Sequence, residues 1–576
     1  MNTRIGITLA ALLLSFNLGC SSSPNVASTA DTIYFGGPII TVNDAQPNAE
    51  AVALKDGKIL AVGARADLVK NNKGATTQMI DLAGKTMIPG FVDAHSHFSI
   101  VGLQAISANL LPAPDGPVNT IPALQQTLRD FIATSPTVKA HHVVIGMNYD
   151  DSQLAEHRHP TRHDLDAVST ELPIVAIHQS GHIGVYNSKA LALFGITAKT
   201  PNPVGGVIER EADGKTPSGV MQENAHFAIA YKMIPKFTLE ETTAQIQAGE
   251  ATYIANGFTT VQDGKTDLAT LKALPALADA GAFKVDIVSY ADIATAGDDP
   301  ILHGPLMSRS YTNHFRIGGV KLTFDGSPQG KTAWFTVPYY KVPAGEKKTY
   351  AGYPAFTDAE ALKWYSLAYK NNWQMLTHAN GDAAIDQLIK TVRAAAAAYP
   401  GTDRRTVLIH GQYLTAAQVA PLKELGIFPS LYPMHTFYWG DWHRQSVAGP
   451  ERAENISPTG WMVENGMKFS IHSDAPVTFP VSMRIFDSAV NRTTRTGYVL
   501  GPKHRLEPLV ALKAMTIWSA YQHFEENTKG SIEAGKIADL VILSDNPLTI
   551  ERAKIIDIKV LETIKNGKSI YKLASQ

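Results

Sequence analysis

The sequence predicts an α/β fold: a TIM (β/α)8 barrel, a small β-sandwich-like domain built from both chain ends, and a subdomain inserted after the first barrel strand. Three observations predict it. Eight short apolar segments, each ending in polar residues, recur through the middle of the chain with helical stretches between them. Short alternating apolar and polar segments crowd the two ends instead. The stretch from about residue 99 to 238 is too long for a single βα loop.

At the start, Met1-Asn2-Thr3-Arg4 precedes an apolar run over residues 5–14 that is too short for a comfortable membrane span. Cys20 follows, the only cysteine of the 576 residues, so disulfides play no part in the fold. Gly19-Cys20 followed by Ser21-Ser22-Ser23-Pro24 resembles the lipobox of bacterial lipoproteins, with Asn17 standing where an aliphatic residue is usual. The resemblance implies a signal peptide over 1–19, a lipidated tether over 20–31, and export as a periplasmic-side or outer-membrane lipoprotein of a Gram-negative bacterium. The alternative is a soluble secreted or periplasmic protein. Membrane contact is then expected only through the lipid.

Residues 32–88 and 525–576 read as one composite β domain, and Asp56-Gly57 between two alternating runs signals a hairpin. Residues 89–524 read as the barrel. Its strand candidates are 87–97, 257–263, 283–291, 319–325, 374–378, 406–410, 427–432 and 468–474, with helices over 239–255, 359–370, 383–399 and 416–425 among them. A barrel of this kind carries its chemistry at the strand C-terminal ends. The net charge of −1, with 18% charged residues, leaves no footprint for nucleic acid. A small-molecule substrate is the expected partner, and a homo-oligomer is compatible with the sequence.

His95 and His97 are two apart on the first candidate strand, so both side chains are expected on one face as half of a metal site. Alone the pair is weak. Its company strengthens it: Ile88-Pro89-Gly90, Asp93, and ligand-type residues Lys321, His378, His410 and Asp474 at the ends of later strands. His157, His159, His163, His141 and His142 read as solvated or capping groups, and His435 and His472 as neighbours of strand ends. Tyr432, Phe437, Tyr438, Trp439 and Trp442 read either as a pocket wall or as loop packing.

Several segments together resemble the amidohydrolase superfamily and, within it, the YtcJ-like branch that includes N-substituted formamide deformylases. They are Pro89 to His97; Gly319-Val320-Lys321-Leu322-Thr323-Phe324-Asp325; Thr377-His378-Ala379-Asn380-Gly381-Asp382; His472-Ser473-Asp474-Ala475-Pro476; and Gly530 to Val541. Ser180-Gly181-His182 in the insert is similar as well. The resemblance implies that His95, His97 and Asp474 bind one metal, that His378 and His410 bind a second, and that a carbamylated Lys321 bridges the two. An ammonium cannot ligate a cation, so Lys321 at a metal site requires a neutral or modified amine, which burial beside cations favours. Histidines without thiolates point first to two Zn²⁺, with Mn²⁺, Fe²⁺ or Co²⁺ as alternatives. His182 and Asp325 are the substrate-side candidates, Asp325 also as support for the Lys321 loop.

The implied reaction is hydrolysis of an amide-type C–N bond, such as an N-acyl or N-formyl amine, by a metal-activated hydroxide. Asp474 would act as general base and then general acid. The rivals are a lactone, cyclic amide or carbamate hydrolase or a deaminase on the same site, and a non-catalytic surface lipoprotein that uses the barrel as a binding module.

Overall fold

The computed structural model describes residues 29–343 and 345–574. The expected signal peptide, Cys20 and most of the tether lie outside the described residues. Among the described residues no helix is long and apolar enough to cross a membrane.

The centre is an eight-stranded sheet: β1 (Phe91–Val92), β2 (Phe258–Thr266), β3 (Asp286–Asp292), β4 (Phe315–Thr323), β5 (Gln374–Ala379), β6 (Val407–His410), β7 (Phe428–Leu431) and β8 (Ser470–Ile471). Neighbours pair in chain order, all parallel. Helices pack along the strands and bury them; every residue of β4 except Thr323 is buried. Beyond the ladders, β1 and β8 are joined by two backbone bonds: Asp474 N donates to His95 O at 3.1 Å, and His97 N to Ala475 O at 2.7 Å.

One expected strand is corrected. The run 87–97 is two strands in two sheets: Thr86–Pro89 pairs antiparallel with Leu540–Leu543, and only Phe91–Val92 enters the parallel sheet. His95 and His97 therefore lie past the ladder, apart from a single bridge between His97 and Asp263. Both halves of the run are apolar and nearly contiguous, so local pattern could not divide them between sheets.

Thr86–Pro89 belongs to a second eight-stranded sheet that combines residues from both chain ends, with the order 568–572, 560–565, 540–543, 86–89, 32–40, 48–55, 58–63 and the strand Gln78–Asp81 beside Thr32–Ile40. The Asp56-Gly57 hairpin is present, with Lys55 opposite Lys58 and both turn residues at positive φ (48° and 76°). A third sheet of six strands, from Ala108–Asn109 to Pro217–Glu223, forms the insert with helices Ile121–Thr134 and Asn224–Met233. The Leu239–Ala255 helix returns the chain to β2. Its start is fixed by a capping box in which Thr238 and Glu241 each bond the other's backbone N–H.

The terminal sheet is tied to the parallel sheet by a buried ion network. Asp286, first residue of β3, accepts from Lys529 Nζ at 2.6 Å and Lys565 Nζ at 2.5 Å, and Lys565 also meets Asp539 at 2.8 Å. Beside it the fully buried Arg316 of β4 meets Glu525 at 2.7 Å. Burial alone would raise the Asp286 pKa, but Lys529 and Lys565 outweigh it and hold the carboxyl well below the usual range.

Asp286→Ala takes one carboxylate from two buried ammonium groups, leaving Lys565 only Asp539 and Lys529 only Glu525, and is expected to cost about 3–5 kcal/mol at pH 7, read from urea unfolding. A depressed folded-state pKa gives stability that is complete above the unfolded value and lost as pH falls. The gap between wild type and variant should therefore narrow below about pH 4.

Candidate metal centre

Past Val92 the chain turns through Asp93 to His97. The turn is held by Ser96 Oγ, which donates to Asp93 and receives the Tyr253 hydroxyl at 2.8 Å, and by Gln262 N, 3.1 Å from Asp93 Oδ2. Burial pushes the Asp93 carboxyl up to about 6. At the far end of the sheet the chain passes through His472 and Ser473 to Asp474, and the seam bonds place Asp474 against His95 and His97. Asp474 Oδ1 lies 3.3 Å from Nε2 of each, and Oδ2 lies 3.8 Å from His410 Nε2. Ligand atoms of His95, His410 and Asp474 all fall within 4.8 Å of one another.

The other nitrogen of each ring is occupied, and at His95 and His97 this sets the tautomer. Gln262 Nε2 donates to Ala94 O at 2.6 Å, so its Oε1 is the acceptor facing His95 Nδ1 at 2.6 Å. His97 Nδ1 is 2.6 Å from Gly264 O, which only accepts. His410 Nδ1 meets His472 Nε2 at 3.1 Å, and His472 Nδ1 meets Ser430 Oγ at 2.9 Å. His95 and His97 therefore turn their Nε2 lone pairs toward one carboxylate, with Lys321 Nζ 2.9 Å from that of His95. Burial pulls the pKa of His95 and His410 well below the imidazole range, which keeps those rings neutral. Gly264 is needed for the approach: a Cβ there would stand 2.7 Å from His95 Cε1.

Lys321, in β4, points its Nζ at His95 Nε2 from 2.9 Å. Burial pulls its pKa down to about 7, with nearby Asp474 opposing the shift. His378, in β5, stands apart from the compact donor group. Its ring centroid is 4.6 Å from that of His410, but its Nε2 receives the Asn380 amide at 3.0 Å. Asp325 spends both oxygens on the backbone N–H groups of Trp334, Asn380 and Gly381 at 2.8–3.0 Å, so it clamps the segments that follow β4 and β5. His182 lines the cavity beside His378.

Two observations fit these residues to a divalent ion. Asp474 Oδ1 is buried with no hydrogen-bond partner among the described residues. The donor set around it is neutral imidazole nitrogen plus one carboxylate, the set that borderline divalent metals prefer. Two of the residues stand in the left-handed region, His410 at φ 75° and Asp474 at φ 55°, and strained non-glycine backbone gathers at functional sites.

A cavity of about 140 Å³ opens from the cluster, with apolar walls supplied by the insert: Ile100, Leu103, Ile145, Met147, Val175 and Ile177. The aromatic group after β7 is a helix, Met434–Trp442, that packs on the insert; Trp439 Nε1 donates to Asp150 at 2.7 Å and Tyr438 to Asp115 at 2.6 Å. Gln262, Gly264 and Glu223 escaped the sequence reading. A buried glutamine at the end of an otherwise apolar strand candidate was the one available signal.

These donors on an α/β scaffold make a divalent-metal site. The amidohydrolase family model matches residues 78–571, and the chain belongs to that family. It is 26% identical to the N-substituted formamide deformylase of Arthrobacter pascens over 94% of this chain and 98% of that one. The exoenzymes regulatory protein AepA of Pectobacterium carotovorum subsp. carotovorum is 30% identical over 69% of this chain and 83% of its own. In fold, the chain matches the crystal structure of an uncharacterized metal-dependent hydrolase from Pyrococcus horikoshii with a TM-score of 0.70 at 22% identity, over 91% of this chain and 99% of that one. The family and its formamide-deformylase-like branch are those to which the motifs pointed.

Gln262→Ala removes the group that orients His95. It is expected to weaken metal binding about 10- to 100-fold, read as metal content per chain after dialysis against graded chelator.

Proposed function

We propose that this protein hydrolyses an amide-type C–N bond of a small molecule bearing an apolar group, at a centre held by His95, His97, Lys321, His378, His410 and Asp474. The observation that carries the reading is the unpartnered Asp474 Oδ1, facing the Nε2 lone pairs of two imidazoles at 3.3 Å. We read the parallel sheet as a closed (β/α)8 barrel, the terminal sheet as its companion domain, and the chain as an exported lipoprotein anchored through Cys20.

A divalent ion bound here, Zn²⁺ by preference and two ions by the proposed ligand count, would supply the Lewis acidity that lets water lose a proton near neutral pH. Asp474 takes that proton on its free oxygen and returns it to the departing nitrogen, acting as base and then as acid. The insert's apolar walls bind the organic part of the substrate and exclude bulk water, which strengthens each polar contact at the reacting carbon. Lys321, with its pKa near 7, has a free amine available to CO₂ at working pH. The resulting carbamate would contribute two anionic oxygens beside His95.

Exhaustive chelation is expected to abolish hydrolysis of N-acyl and N-formyl amines, with Zn²⁺ restoring it. Asp474→Asn should lower kcat by about 10²-fold or more, the scale of a lost general base. Activity that survives metal removal would sink the proposal. Reloading of the metal-free protein should be accelerated by bicarbonate above pH 7 and slowed below it, because the protonated amine cannot react. Lys321→Met should lose that bicarbonate response.

A further inference from the structure

One pair of cavity residues takes no part in the scheme above. His182 precedes the strand Ile183–Tyr186, and Glu223 ends the strand Pro217–Glu223 that runs antiparallel to it. Glu223 N donates to His182 O at 2.8 Å, so the two backbones are locked in register. Their side chains also meet, His182 Nδ1 lying 2.6 Å from Glu223 Oε2. Glu223 is 6% exposed, its backbone is held at φ 49°, and its Oε1 has no partner among the described residues. This buried, strained carboxylate is built into the insert next to the reacting centre.

A carboxylate accepts, so the proton between the pair sits on Nδ1. In the tautomer with the proton on Nδ1, the ring presents Nε2 to the cavity as an acceptor. The ring is fixed in place by His378, at 5.2 Å between centroids, and by Phe227, packed edge-on at 5.6 Å. Among the described residues no donor reaches Nε2, while His182 lines the cavity together with His95, Lys321 and Asp474. An acceptor held this way in an apolar cavity favours a ligand that brings a donor and penalises one that leaves it unpaired.

The candidate scissile bonds differ in this respect. Primary and secondary amides carry an N–H on the scissile nitrogen; esters, lactones and N,N-disubstituted amides do not. We propose that His182, positioned by Glu223, accepts a hydrogen bond from the N–H of the scissile amide and so restricts the substrate class to primary and secondary amides. The contact is noncovalent, and no proton changes hands at His182. The inference rests on the C–N hydrolase reading above but not on the identity or number of the metal ions.

The test compares N-hexylacetamide, N-hexyl-N-methylacetamide and hexyl acetate on the metal-loaded full chain. Wild type is expected to favour the N–H amide over its N-methyl analogue by roughly 10- to 100-fold in kcat/KM, the range that follows when a site's acceptor is left unpaired. His182→Phe, which keeps the bulk and removes the acceptor, should bring that preference to within about threefold at unchanged metal content and unfolding midpoint. His182→Gln, whose carbonyl can still accept, should recover part of it, and Glu223→Ala should lose part of it by freeing the ring to turn.

A preference kept intact in His182→Phe overturns the inference and leaves the amide hydrolase reading standing. Turnover of hexyl acetate with neither amide hydrolysed overturns both. Where none of the three is turned over, calorimetric binding of the two amides to wild type and His182→Phe decides the matter. Equal affinity of wild type for both amides overturns the inference, and an N–H advantage that His182→Phe abolishes supports it.

Discussion

Asp474 Oδ1 faces two imidazole nitrogens at 3.3 Å in a setting where all three groups are acceptors. Apart from Lys321 Nζ on His95 Nε2, no described residue donates to these three atoms, and lone pairs that meet a carboxylate in a medium that screens poorly repel it. The arrangement persists because the backbone dictates it. The seam bonds from Asp474 N to His95 O and from His97 N to Ala475 O hold the ends of the first and last parallel strands together, so the ligands cannot drift apart. The left-handed backbone at His410 and Asp474 adds conformational strain at the same point. Stability is surrendered here and supplied elsewhere, by the apolar core of the parallel sheet and by the ion network around Asp286.

That division of labour follows the three sheets. The terminal sheet takes its strands from both chain ends and meets β3 through Lys565, while Lys529 and Glu525, ahead of its strand Leu540–Leu543, hold Asp286 and Arg316 on the side away from the ligands. The parallel sheet supplies the ligands or the positions just beyond its strands. The insert contributes none of the six proposed ligands, yet it provides the apolar walls and His182. Chemistry and substrate choice are thus carried by different segments of the chain, and substitutions in the insert can change the substrate without touching the ligands.

Much of this was legible in the sequence because it is local. Helices with strong caps, such as Leu239–Ala255, begin where Thr238 and Glu241 place them, and Asp56-Gly57 makes the hairpin its left-handed residues demand. The candidate ligands could be singled out because each lies in or just past an apolar run. What stayed hidden depends on partners far along the chain. Gln262 orients His95 from 167 residues away, and Arg316 finds Glu525 across 209. The helices Ser482–Asn491, Pro508–Met515 and Ile517–Gln522 also went unread. They are short, and their start signals are weak: no side chain caps any of the three. The partition of 87–97 between two sheets is a tertiary decision, made by which strand arrives alongside.

A second cluster of the same residue types shows why composition alone does not make a metal site. Asp150, Asp151 and His178 also bring their ligand atoms within 4.8 Å. Burial would pull the His178 pKa down, but hydrogen bonds and charge from the two aspartates overturn it and raise it to about 9. His178 Nε2 donates to Asp151 at 3.0 Å and its Nδ1 receives Ser180 N at 3.1 Å, so both ring nitrogens are spent inside the cluster. Asp150 is further satisfied by Trp439 and Ser152. At His95 and His410 the balance goes the other way: burial, with neighbouring imidazoles and Lys321 beside it, disfavours positive charge on the rings. Two carboxylates to one histidine close a site upon itself, whereas several histidines to one carboxylate leave it short of a cation. The closed cluster has its own use, since His178 begins the segment that ends in His182 and its hydrogen bonds to Asp151 and Ser180 anchor the loop facing the open one.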